Sequence, residues 1–123
     1  MDDSSAQAHR GADHARGQCV ILFTTLTACV ARLKPRSTRV AVQTDMNLLS
    51  ALLVRFENTI QTRTRREINH ADIRRDVARL RQQFMAGKQR VVDHLAAEFG
   101  EAAVDQQLRG SQARLRQSTR RVS

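Results

Sequence analysis

The sequence predicts an all-α protein: an antiparallel helical hairpin with one long central helix, pairing with a second copy into a four-helix dimer. Three observations predict it. Residues 69–100 place Ile73, Val77, Leu80, Phe84, Val91 and Leu95 at the three, four and seven steps of an amphipathic helix. Residues 46–66 repeat that spacing with Leu49, Leu52, Leu53, Phe56 and Ile60. The composition is rich in alanine, arginine and glutamine, with five Gly, one Pro and no Trp or Tyr, which favours helix over sheet.

Taken in order, residues 1–18 are polar and show no period, which predicts a disordered leader. His9 and His14 lie there with no further ligand nearby and read as solvent-exposed. Residues 19–44 are expected to be a short apolar segment and a linker. The run 19–33 is the most apolar in the chain, yet it falls short of the roughly 20 residues that span a bilayer. It fits a short buried helix or strand stopped by Lys34 and Pro35. An alternative is a lipoprotein cleavage box at Leu26-Thr27-Ala28-Cys29, with Cys29 lipidated.

Residues 45–110 form the expected helical core domain. Thr44 or Asp45 can cap its first helix, and Arg63, Arg65 and Arg66 suit a helix C-terminus. A turn around Asn69, itself an N-cap candidate, leads into the long helix. Asp72 and Asp76 favour the start of that helix, and Gly100 suits its C′ position. Gly87 interrupts the apolar seam, where it permits a close helix crossing or a kink. At 1.5 Å per residue the helix is a rod of roughly 45 Å, too long to bury its stripe in one small domain, so a neighbouring helix or a second chain should cover it. A weaker helix follows over 101–108 and stops near Gly110, and residues 111–123 read as a flexible basic tail.

Charge directs the functional reading. The formal net charge is +9 and the pI about 11.4, which points to a polyanionic partner. Residues 1–62 carry seven Lys/Arg against five Asp/Glu, a net of +2, and residues 63–123 carry fourteen against seven, a net of +7. On the long helix Arg75, Arg79, Gln82, Gln83, Ala86 and Arg90 fall between about 180° and 280° from Ile73, a straight polar ridge of roughly 22 Å. It can lie along a row of phosphates, although an ordinary solvated face has the same pattern. Two cysteines are too few for a disulfide framework, and no Cys/His cluster suggests zinc. Phosphate loops, nucleophile elbows and paired carboxylates are missing from the sequence, and His70 and His94 share no evident pocket. The expectation is a non-enzymatic protein without cofactor, metal or small-molecule substrate, not associated with membranes, in the cytoplasm.

The stretch 71–110 resembles the core of the small RNA-silencing suppressor of nodaviruses. The similar features are Arg74-Arg75-Asp76, Leu80, Lys88, Val91 and the ending Val104, Leu108 and Gly110, aligned without a gap, and Ile60-Gln61-Thr62 extends them. The resemblance covers about a third of the chain with motifs of low specificity. It implies an all-helical homodimer laid along one face of double-stranded RNA, which would shield the duplex from Dicer-type nucleases in the cytoplasm of a host cell. The arginine that this family places mid-face falls at Asp93, with Arg90 one turn earlier, and residues 1–45 have no counterpart. The candidate nucleic-acid-binding set is Arg74, Arg75, Arg79, Gln82, Gln83, Lys88 and Arg90.

Physical chemistry favours the same target. A-form RNA is recognised through phosphates and 2′-hydroxyls, and arginine and glutamine on a rigid helix suit both. The near-absence of aromatics is ill suited to stacking single-stranded bases. Two other readings stay open. One is a plasmid or phage DNA-binding accessory protein, although no helix-turn-helix with a glycine turn is evident. The other is a helical assembly protein lipidated at Cys29.

Overall fold

The computed structural model describes residues 3–64 and 70–122, with side chains over 10–61 and 71–117. Four helices fill it: α1 Asp3–Leu33, α2 Arg39–Thr64, α3 His70–Phe99 and α4 Glu101–Val122. Among the described residues there is no strand, and no helix is long and apolar enough to cross a membrane. The expected N-cap Asn69, and the side chains of Arg63, Arg65 and Arg66, lie outside the described residues.

Helix α1 is far longer than the sequence pattern predicts. Residues 3–18 are helical rather than a disordered leader, and 19–33 continue the same helix rather than forming a short helix or strand. Ala12, Ala15, Cys19, Leu22, Leu26, Cys29 and Leu33 alternate steps of three and four, and all are buried or partly buried against the core. The first two members of that stripe are alanines, which carry too little hydrophobicity to mark a period. Thr24, Thr25 and Thr27 settle into the helix by donating their hydroxyls to the carbonyls of Val20, Ile21 and Phe23. Burial raises the pKa of both thiols, and the Arg81 charge partly opposes this at Cys19.

Cys29 is fully buried, in one core with Ala12, Ala15, Cys19 and Leu26 of the same helix. Helix α1 ends where Lys34 takes a left-handed φ of 53° and donates its N–H to the Val30 carbonyl, and Pro35 follows.

Helix α2 begins at Arg39, several residues before the expected start. Neither Thr44 nor Asp45 caps it: the Thr44 hydroxyl bonds the Val40 carbonyl, and Asp45 is buried mid-helix. The start is held from outside instead. Glu98, near the end of α3, accepts from the Arg36 and Thr38 N–H groups at 2.9 and 2.8 Å and from the Ser37 hydroxyl at 2.6 Å. The Ser37 hydroxyl, with the two backbone donors, holds the Glu98 carboxyl down at about 2.

The stripe of α3 is covered by this chain's own helices. Ile73, Leu80, Phe84, Val91 and Leu95 are buried and Val77 is half-buried. Helix α3 packs on α1, α2 and α4, and α1 likewise touches all three others, so α1 and α3 form the central pair with α2 and α4 at its flanks. The length of the rod is therefore no reason to invoke a second copy. Gly87 serves a close crossing rather than a kink: a Cβ there would lie 2.7 Å from Leu49 Cδ2. Gly100, at φ +91°, ends α3 as expected and accepts the Val104 N–H at the start of α4.

Helix α4 runs through Gly110 to Val122, past the expected stop, and no flexible tail begins at residue 111. Val104 and Ser111 are buried and Leu108 and Leu115 half-buried, a four-three-four stripe on α1 and α3. Tertiary burial of that stripe outweighs the roughly 1 kcal/mol that glycine costs inside a helix.

Candidate nucleic-acid interface

Helices α2 and α3 leave an open cleft between them, lined by residues of these two helices. Its contacts fix which part of the ridge faces it. Asp45 on α2 meets Arg90 and His94, Leu49 meets Gly87, and Arg55, Asn58 and Thr59 of α2 line the cleft together with Asp76, Arg79 and Gln83 of α3. The ridge of α3 thus forms one lip of a two-helix surface.

The structure divides the seven candidate residues. Arg75, Arg79, Gln82 and Gln83 are exposed along the ridge, with exposed Ala86 between them and Arg90. Arg79 and Gln83 lean toward α2, whereas Arg75 and Gln82 face outward. Arg74 and Lys88 belong elsewhere. At 100° per residue they lie about 130° and 170° from the centre of the ridge, and Lys88 is half-buried.

Two of the ridge arginines are engaged within the chain. Arg75 Nη2 lies 3.6 Å from Asp72, an exposed pair on the same helix. Such pairs contribute between about 0 and 1 kcal/mol, so a phosphate can displace this one at little cost. Arg90 differs. Its Nε donates to Asp45 at 3.2 Å, and the Asp45 side chain is only 10% exposed. His94 Nε2 contacts the other carboxylate oxygen at 3.1 Å. Arg90 thus anchors Asp45 through Nε, and its outer nitrogens stand on a half-exposed side chain. Asp93, where the family resemblance places an arginine, is exposed and accepts from Gln89 at 2.9 Å.

Arg55 and Asn58 of α2 are absent from the sequence-based set, yet both line the cleft, and Arg55 borders both of its adjoining parts. The overlooked signal was position: Arg55 sits directly before the core residue Phe56, so it stands on the flank of α2 that borders α3. On α4, Arg109 and Arg116 are exposed, and Arg114 bonds Ser111 at 3.2 Å.

The chain matches no family model, no curated protein and no solved structure. Among the described residues no group of three His, Cys, Asp or Glu side chains could hold a metal. Phe56 and Phe84 are fully buried, and Phe23 and Phe99 pack half-buried on the core, so no fully exposed phenylalanine is present to stack on a base.

Proposed function

We propose that this chain binds double-stranded RNA without regard to sequence, as a helical homodimer built on the antiparallel α2/α3 hairpin. By occupying the duplex it would shield RNA from Dicer-type processing, the role of a viral suppressor of RNA silencing. One observation carries this reading: a rigid, exposed face of Arg75, Arg79, Gln82 and Gln83, continuous with Arg55, in a chain of net charge +9. Guanidinium forks suit phosphate oxygens, and glutamine amides suit 2′-hydroxyls. With Phe56 and Phe84 fully buried and Phe23 and Phe99 packed on the core, the scarcity of exposed rings favours a duplex over single strands.

The resemblance of residues 71–110 to nodaviral suppressors supports the same target. Exposed Leu48 and Met85, on α2 and α3, supply apolar surface for a second copy, although the core is closed without one.

A cleavage assay tests the function. Long duplex RNA incubated with a Dicer-type nuclease should survive when the protein is in excess, and the double variant Arg75→Ala, Arg79→Ala should lose most of that protection. Unchanged cleavage in the presence of the wild-type chain refutes the proposal. Equal or tighter binding of duplex DNA would favour a DNA-binding accessory protein instead.

A further inference from the structure

We infer that Arg55 on α2 is a phosphate ligand, so that the α2/α3 cleft, rather than the α3 ridge alone, seats one ribose–phosphate strand of the duplex; this rests on the RNA-binding reading above. Arg55 and Arg79 stand on the two walls of one cleft, both exposed, and neither has a hydrogen bond or ion pair with any described residue. Their situation contrasts with that of Arg75 and Arg90, each of which has a carboxylate partner. Two guanidinium groups that line one cleft, neither paired with a carboxylate, make it attractive to an anion that can accept from both. Asp76 adds one carboxylate to the same wall but already has a partner, and against two arginines it leaves the cleft positive.

The neutral groups fit the same ligand. Asn58, Thr59 and Gln83 set amide and hydroxyl groups beside the arginines, where a 2′-hydroxyl next to each phosphate can both donate and accept. Above Arg55 the lining turns apolar, with Leu48, Ala51 and Ala86 ahead of the Arg90–Asp45 pair. The anion-binding part of the cleft is therefore confined to its lower half. A helix pair offers what a single ridge cannot: cations on both sides of the strand, fixed by the packing of Leu49 into Gly87.

The test uses the full chain and a fluorescent duplex RNA, with affinity measured by anisotropy across a salt series. Arg55→Ala should weaken binding roughly tenfold for each protomer in contact with the duplex, the loss of one charge-assisted contact per copy. It should also flatten the slope of log K against log salt by about 0.9 per copy. Arg55→Lys should retain the slope, and Arg32→Ala, on the exposed end of α1, should match wild type. Arg55→Glu gives an independent check, with a larger loss expected. Wild-type affinity and slope in Arg55→Ala, alongside weakened binding in Arg79→Ala, overturn the two-walled cleft while leaving RNA binding intact. Failure of the wild-type chain to bind duplex RNA overturns both.

Discussion

Arg90→Ala should destabilise the fold more than Asp45→Ala, although both remove the same ion pair. The asymmetry follows from burial. The Asp45 side chain is 10% exposed, against 50% for Arg90 and 38% for His94. Deleting Arg90 leaves a buried carboxylate with His94 as its remaining side-chain partner. Orphaning a buried charge completely costs about 3–5 kcal/mol, and the surviving His94 contact at 3.1 Å should bring this to about 2–3 kcal/mol. Deleting Asp45 instead frees two side chains that can turn to water, at about 1 kcal/mol. The double variant should fall near Asp45→Ala alone, because Arg90 has nothing left to neutralise. Urea denaturation midpoints at neutral pH, with a constant m-value, measure all three. An Asp45→Ala loss equal to or larger than that of Arg90→Ala would refute the reasoning. The same result bears on function, since weakened RNA binding in Arg90→Ala would report a damaged scaffold as readily as a lost ligand.

Three further outcomes are expected. Glu98→Gln should lower the thermal midpoint at neutral pH and flatten its acid limb. The folded carboxyl titrates at about 2 rather than 4.5, so the stability it contributes is present above about 4.5 and lost as pH falls toward 2; melts recorded from pH 7 to 2 would show this. Gly87→Ala should be destabilising by about 1 kcal/mol. Overpacking against the fully buried Leu49 costs about 1–3 kcal/mol and outweighs roughly 1 kcal/mol of gained helix propensity; Leu49→Ala in the same chain should relieve it, as a double-mutant cycle in urea would report. Cys19 and Cys29 should resist an aromatic disulfide reagent in the native state and react fully in denaturant, because both are buried and their thiolates are disfavoured.

Helices α2 and α3 were legible because Leu49, Phe56, Ile73, Phe84 and Leu95 are large and regularly spaced. Helices α1 and α4 were not, for a physical reason: their stripes use small or polar residues at core positions. Ala12 and Ala15 begin the stripe of α1, and Ser111 stands in that of α4. Such residues bury little area each, so the period is present without the hydrophobic contrast that reveals it. Gly110 compounded the error by resembling a stop signal.

Helices α1 and α4 supply cover for α3 that the sequence pattern left open between a neighbouring helix and a second chain. On the candidate interface, the helical wheel placed Arg75, Arg79, Gln82 and Gln83 correctly on one face. It could not show that Asp45, 45 residues away, would claim Arg90, or that Arg55 would line up across from Arg79. Both depend on how α2 registers against α3, which Gly87 and Leu49 determine through tertiary contact.

The central claim is sequence-blind recognition of an RNA duplex, and competition binding tests it most directly. Two duplex RNAs of equal length and unrelated sequence should bind the full chain with the same affinity and the same salt slope, and a DNA duplex of that length should bind more weakly. A clear preference for one RNA sequence, or DNA binding as tight as RNA binding, would contradict the account.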